Sequence, residues 1–302
     1  MTLIFELAGA ILSFFVFVQD YPPLRAAGIS IFHSVAAFNN SGFDILGNFQ
    51  NLIPYQNNIL LNLRYCGLIL WGGIGFLVIQ EMWSKRFHWR KFSMHTKIVV
   101  TVSLALIISG TVLLKLSEDI SWLGAFFHSV SARTAGFSTY SLGTFSNAGL
   151  LVLIILMFIG ASPGSTGGGI KTSTFFVLLQ GIKKSAATNK SERPSPANFR
   201  RRDQSEGGCH HFDCRRRRPV GTYLMVAMEP NVSLMDALFE ITSAFGTVGL
   251  STGITPALCD GSKLLSILIM YIGRLGPLTI ASLWYFTKGE RVSYPEGNIA
   301  IG

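Results

Sequence analysis

Three glycines, Gly42, Gly136 and Gly249, close three versions of one short stretch: FHSVAAFNNSGF from Phe32 to Phe43, FFHSVSARTAGF from Phe126 to Phe137, and FEITSAFGTVGL from Phe239 to Leu250. Counting back ten places from each glycine reaches a phenylalanine, Phe32, Phe126 and Phe239, and a Ser or Thr precedes each turn. The chemistry such turns offer is that of main-chain oxygen. A permeant cation must exchange its hydration for protein oxygens at little net cost, which carbonyls achieve when their peptide planes turn toward a common axis. Glycine permits that geometry because it has no Cβ to clash at positive φ. Asn40-Ser41-Gly42-Phe43, Thr134-Ala135-Gly136-Phe137 and Thr247-Val248-Gly249 would each supply one wall of such a ring.

The elements that must hold these turns are legible around them. Each copy reads as a short apolar helix ending at the turn, set between longer apolar runs, and a unit of that kind buries its faces only against its own copies. A helix ending at the turn directs its negative dipole end toward a bound cation. Thr247-Val248-Gly249 is also the order that opens the filter loop of potassium channels. The plainer alternative is that small-residue turns cap re-entrant hairpins packed only for stability. Repetition at fixed spacing favours a pore, since irregular backbone at membrane depth is either buried in protein or lines a cavity.

Composition agrees with a bilayer setting. The 302 residues are 49% hydrophobic and only 14% charged, with mean hydropathy +0.42, more apolar surface than a soluble core of this size would bury. A net charge of +9 raises the question of nucleic acid, but the basic residues lie in a few patches between apolar runs, where the positive-inside rule expects them; no nucleic-acid partner is expected. Cys66, Cys209, Cys214 and Cys259 have no disulfide-scaffold spacing.

Along the chain, Leu3 to Val18 is an apolar run carrying Glu6, read as an interfacial or helix-contact carboxylate. A span runs from about Ile59 to Ile79, with Gly72-Gly73-Ile74-Gly75 suited to close helix contact, and Arg64 near its start is expected to snorkel to the near interface. Lys85, Arg86, Arg90, Lys91 and Lys97 put the following connection in the cytoplasm and the repeat turns outside. Ile98 to Leu114 is the clearest span, and the run from Gly149 is broken by Ala161 to Thr172 before apolar residues resume at Phe175. From Lys183 to Arg218 the text is basic and almost free of apolar residues, leaving only Val220 to Met228 of the span the repeat requires, too few for a hydrocarbon core of about 30 Å. Leu264 to Phe286 is the final span, interrupted by Gly273-Arg274-Leu275-Gly276-Pro277.

The glycine-rich break, with Gly164, Gly167, Gly168, Gly169 and Lys171, nearly spells a phosphate loop, but Ile170 separates glycine from lysine and no strand pattern precedes it. A flexible loop under the pore is the better reading, with Lys171 opposing cation passage when on the axis. Arg274 reads either as a positive charge on the ion path, the favoured role because intramembrane charges are costly unless used, or as a packing residue paired to backbone carbonyls. Cys209-His210-His211 and Cys214 lack the second ligand pair of a zinc finger. No catalytic set, no metal beyond a transported cation and no organic cofactor is expected.

With these motifs in hand, the chain resembles the Trk/Ktr/HKT superfamily of potassium-transporting membrane subunits, most closely the Ktr type, over Met1 to about Lys184 and Val220 to Gly302. SGFD, RTAGFST, GASPGSTGGGIKT, FGTVGLSTG and IGRLGPLT carry the resemblance. It implies an all-α membrane fold of repeated helix, re-entrant pore helix and helix units around a pseudo-symmetric ion pore. Gly42, Gly136 and Gly249 would then belong to filter units two, three and four, Gly164 to Lys171 to a gating loop, and Arg274 to the last-helix arginine. It further implies K+ as the transported ion with Na+ as a second candidate, a homodimer in the plasma membrane, and a cytosolic nucleotide-binding regulatory ring. Units are expected at 1–95, 96–184 and 220–302, with a basic irregular segment at 185–219.

Two departures accompany the resemblance. The first unit is absent, so a truncated or degenerate, non-conducting membrane protein is the competing expectation. Lys183 to Arg218 stands where a span belongs, and a local reading-frame shift would turn a hydrophobic helix into arginine-rich text; absence of an apolar helix from every frame of the nucleotide sequence would exclude it.

Overall fold

A computed structural model describes residues 2–47, 50–187 and 220–275, and these are helical apart from turns, short 3-10 segments and one isolated bridge. The element order repeats. α1 (Thr2–Phe17), α2 (Pro23–Phe38) and α3 (Ile59–Ile74) form one set of outer, short and inner helix, the middle one short only in the later sets and here as long as its neighbours at 16 residues. α5 (Met94–Ser117), α6 (Trp122–Ser131) and α7 (Asn147–Phe158) form the second, and α9 (220–228), α10 (Leu234–Gly246) and α11 (Asp260–Leu275) the third. α4 (Phe76–Ser84) and α8 (Thr172–Ala187) follow the inner helices of the first two sets.

Serines start several of these helices. Ser93, Ser121, Ser146 and Ser233 each accept a hydrogen bond from the amide three residues on, at Thr96, Gly124, Gly149 and Asp236, satisfying a donor that the helix itself leaves open. Acidic residues then tie the outer helices to the inner ones: Glu118 accepts from the Ser146 amide at 2.9 Å and Glu229 from the Cys259 amide at 2.5 Å.

One contact recurs inside each set. A Cβ added to Gly9 would lie 2.5 Å from Ser34 Oγ and 2.7 Å from Leu68, and one added to Gly110 would lie 2.5 Å from Ser129 Oγ and 2.7 Å from Leu156. In the third set a Cβ added to Gly221 would lie 2.9 Å from Ile269 and 3.2 Å from Ile241. The absent side chain lets outer, short and inner helices touch, as small residues do in membrane packing. The two serines also donate to the carbonyl three residues before the glycine, Ser34 to Glu6 at 2.6 Å and Ser129 to Ile107 at 2.9 Å. This contact fixes the register of the repeat and corrects the spacing argument. Ser34 follows His33 as Ser129 follows His128, so the counterpart of Phe32 is Phe127, not Phe126; Gly136 lies seven residues after Ser129, where Gly42 lies eight after Ser34.

The sets are joined because each inner helix packs on the next short helix, α3 on α6 and α7 on α10. α5, at 24 residues, is about 36 Å long and thus long and apolar enough to span a hydrocarbon core of about 30 Å, while α1 and α7 are apolar but shorter. Leu3, Ile4, Leu7, Ile11 and Phe15 of α1 and Leu104, Ile108, Val112 and Leu116 of α5 are exposed; such stripes suit lipid and would be an aggregation hazard in water.

Two expectations change here. The span from Ile59 does not run through to Ile79: Gly75, at φ 97°, breaks it, and α3 and α4 meet at 98°. A Cβ at Gly75 would lie 2.6 Å from the Pro163 carbonyl oxygen, and the Phe76 amide donates to Gly164 at 3.1 Å, so the glycine-rich loop forces the break. Arg64 does not snorkel. It is 7% exposed, donates from Nε to the Gly9 carbonyl at 3.0 Å and covers the Tyr65 ring at 4.3 Å, because the bare backbone at Gly9 brings α1 within its reach. Glu6 makes the expected helix contact, to Asn39 Nδ2 at 3.2 Å. The proposed frame-shifted text and zinc ligands from 188 onward, and the stretch Gly276 to Phe286 of the final span, lie outside the described residues.

Candidate functional site

α2, α6 and α10 each end where a residue in the left-handed region reverses the chain: Asn40 at φ 50°, Thr134 at 78° and Thr247 at 50°. Two residues on, Gly42, Gly136 and Gly249 take φ 70°, 80° and 94°, while Ser41, Ala135 and Val248 between them do not have positive φ. Alternating the sign of φ swings successive peptide planes so that their carbonyls face one side rather than alternating. The bend is held from within, by amides of Ser41, Ala135 and Val248 donating to Ala36 at 3.0 Å, Ser131 at 2.9 Å and Ser243 at 2.9 Å.

The three bends meet. A Cβ added at Gly42 would lie 2.7 Å from the Ala135 carbonyl oxygen, one at Gly136 2.1 Å from that of Val248, and one at Gly249 4.0 Å from that of Ser41. Each glycine thus faces the oxygen preceding another glycine, and the negative ends of three helices converge there. The following aromatic positions differ: Phe137 is buried against Tyr65, at 4.9 Å between ring centres, whereas Phe43 is 68% exposed.

A polar side chain on each short helix ties down the chain after the bend. His33, fully buried, accepts from the Ile45 amide through Nε2 at 3.3 Å, which leaves its Nδ1 hydrogen for the Tyr65 hydroxyl. His128 donates from Nδ1 to the Gly124 carbonyl at 3.0 Å and meets Ser138 Oγ through Nε2 at 3.2 Å. Glu240 accepts from Ser251 Oγ at 2.5 Å, the Thr252 amide at 3.2 Å and Thr255 Oγ1 at 3.1 Å. Sequence reasoning missed these three, although a polar residue at one position of three apolar helices was a visible signal.

Directly against the bends lies the irregular segment between α7 and α8. Its neck is drawn together by the Ile159 to Ile170 bridge, with the Ile170 amide donating to Phe158 and the Thr172 amide to Ala161, both at 3.3 Å. Its flank is bonded to the first inner helix, where Ser162 N donates to Gly73 at 3.1 Å and Thr166 Oγ1 lies 3.3 Å from the Gly72 carbonyl. At its tip, a Cβ on Gly167 would lie 2.0 Å from Thr134 Oγ1 and one on Gly168 2.2 Å from Thr247 Oγ1. Gly169 turns at φ 69° against Gly160, and Gly164, at φ 70°, faces open space. Lys171 is folded back onto the Gly167 carbonyl at 2.5 Å, and Arg274 reaches from α11 to the Thr166 carbonyl at 2.5 Å. Gly42, Gly136, Gly167, Gly168 and Gly169 therefore lie in close contact, Gly249 meets its neighbours at ordinary distance, Gly164 is held through its carbonyl by the Phe76 amide, and both cations bind the loop's own oxygens. Among the described residues no group of His, Cys, Asp or Glu forms a metal-ion cluster.

The chain has relatives among known proteins. The family model for TrkH, described as a cation transport protein, matches residues 87–203 and 220–287. The chain is similar to Ktr system potassium uptake protein B of Vibrio alginolyticus, 35% identical over 90% of this chain and 62% of that one. To the protein of the same name from Bacillus subtilis it is 31% identical over 98% and 68%. To the potassium/sodium uptake protein NtpJ of Enterococcus hirae it is 32% identical over 99% and 69%. Among solved structures, the potassium transporter TrkH from Vibrio parahaemolyticus superposes with a TM-score of 0.73 over 94% of this chain and 62% of that chain at 18% identity, a likeness of fold. The chain thus spans 62% to 69% of the length of these relatives.

Proposed function

The chain belongs to the TrkH family of cation transport proteins and has its all-helical membrane fold, and from that premise we propose that it is a potassium uptake subunit conducting ions through a main-chain filter. Carbonyls around Asn40 to Phe43, Thr134 to Phe137 and Thr247 to Gly249 replace the ion's hydration, and the helix ends of α2, α6 and α10 favour positive charge there. Neither ring geometry nor dipole sign selects K+ over Na+, and Na+ stands as a second permeant or coupling ion. The segment from Gly164 to Lys171 closes the inner mouth, with Arg274 holding it by the Thr166 carbonyl and Lys171 repelling cations that approach the closed loop.

The single observation carrying this reading is the convergence of Gly42, Gly136 and Gly249 on one another's carbonyls at positive φ. The proposal includes a homodimer in the plasma membrane, turns outside and basic connections inside, a cytosolic nucleotide-binding ring as regulator, and repeat units at 1–95, 96–184 and 220–302. Rubidium uptake in cells stripped of their own potassium systems tests it. Uptake exceeding that of a Gly136→Ser control supports conduction; uptake equal to it leaves the competing reading, a membrane protein that conducts nothing.

A further inference from the structure

Arg133 stands beside Thr134 at the end of α6, is 7% exposed, and makes no ion pair among the described residues. Its Nη2 donates to Ser103 Oγ on α5 at 3.1 Å and to the Gly160 carbonyl at 3.4 Å, while its Nε has no partner. A buried guanidinium without a carboxylate is costly at membrane depth. Gly160 opens the neck of the irregular segment, the place where Ile159 and Ile170 draw its two ends together. A small cavity lined by Ile69, Gly73, Ile74, Ser103, Val130 and Ala161 lies alongside Arg133, so on that flank the arginine adds a side-chain tie to the main-chain bonds that close the neck.

We infer that Arg133 is a positioning residue that pins the neck of the 159–171 segment to α5 and to the filter turn, holding the segment against Thr134 and Thr247. The inference rests on reading that segment as the gate. With the tip already seated on Thr134 and Thr247 through Gly167 and Gly168, a pin at Gly160 fixes the other end of the lever. Swinging the segment clear of the filter then requires the Arg133 to Gly160 bond to break. A cation acting only through its charge, by contrast, would need no particular acceptor.

The two roles separate in Arg133→Lys and Ser103→Ala. Lysine keeps the charge but not the planar fork; alanine at position 103 removes the anchor and leaves the charge. The readout is maleimide modification of a Ser162→Cys chain, located by mass spectrometry, in membranes carrying that substitution alone, with Arg133→Lys, or with Ser103→Ala. The exposed native Cys259 normalises the reagent, and the buried native Cys66 reports the packing elsewhere. A neck pin predicts that the thiol introduced at position 162, where the parent serine is buried, reacts about tenfold faster in both double variants, as the loss of one hydrogen bond to a charged group implies, with Cys66 and Cys259 unchanged. Equal rates at position 162 in all three chains overturn the inference, as does a rise there and at the buried Cys66 together, which marks general loosening. Rubidium kinetics give the second arm: a pin raises the maximal rate in both Arg133→Lys and Ser103→Ala at unchanged KM, whereas wild-type behaviour of Arg133→Lys overturns it. The labelling needs no ion flux, so a parent chain without uptake would defeat the conduction proposal and leave this one standing or falling on the thiol at position 162.

Discussion

Replacing Gly136 by alanine tests the ring at its tightest point. Two penalties follow from the structure. The residue sits at φ 80°, where a Cβ costs about 1–2 kcal/mol. The added carbon would also start 2.1 Å from the Val248 carbonyl oxygen, which must recede by roughly 1.3 Å to reach the 3.4 Å of ordinary contact. Gly47 supplies the control, because it has φ 91° with nothing within 4 Å of its added Cβ; Gly47→Ala carries the strain without the collision. Initial rates of rubidium uptake, normalised to chain present in the membrane, should fall more than about tenfold in Gly136→Ala, a barrier change of only about 1.4 kcal/mol, and stay near the parent in Gly47→Ala. Parental uptake by Gly136→Ala, or equal losses in the two variants, would refute a filter built on contact between the turns.

Three further outcomes follow from particular contacts. Gly168→Ala places a carbon 2.2 Å from Thr247 Oγ1, so the segment must withdraw from the turn and basal rubidium uptake should rise severalfold. Glu240→Gln exchanges one of two accepting oxygens for a donor facing Ser251, Thr252 and Thr255; sodium should then compete with rubidium at lower concentration, read as a fall in its inhibition constant. At the elbow between α4 and α5, hydrogen bonds from Lys85, Ser93 and Thr96 hold the Glu81 carboxyl far below the usual carboxylate range. A depressed folded pKa means that the stabilisation is present above the unfolded value and lost as pH falls through the folded one. Hydrogen exchange at the Ser93 and Thr96 amides, corrected for intrinsic rates, should therefore stay flat from about pH 8 to about pH 5 and speed up in Glu81→Gln throughout that range.

Much of the site was legible because its demands are local. A positive φ favours glycine, so Gly42, Gly136 and Gly249 marked themselves, as did the glycine-rich break before Lys171, whereas Asn40, Thr134 and Thr247 reach positive φ without it. Apolar runs likewise announced α5, α6 and α7. Errors arose wherever one segment's conformation depends on another. The ten-residue count to Phe126 matched by coincidence; Ser129 against Gly110 set the true register. Arg64 looked like a surface cation until Gly9 brought a carbonyl to it, and Gly75 looked like a packing residue until Pro163 crossed it.

Sequence alone thus determined three glycine turns, the helices that lead to them and the membrane setting, since backbone strain and hydrophobic length are properties of a residue and its near neighbours. Tertiary structure decided which carbonyl each glycine meets, which oxygens Arg133, Lys171 and Arg274 hold, and that His33, His128 and Glu240 fasten the chain beyond each turn. Those contacts join residues far apart along the chain, and a distance between distant residues is set only when their helices have packed.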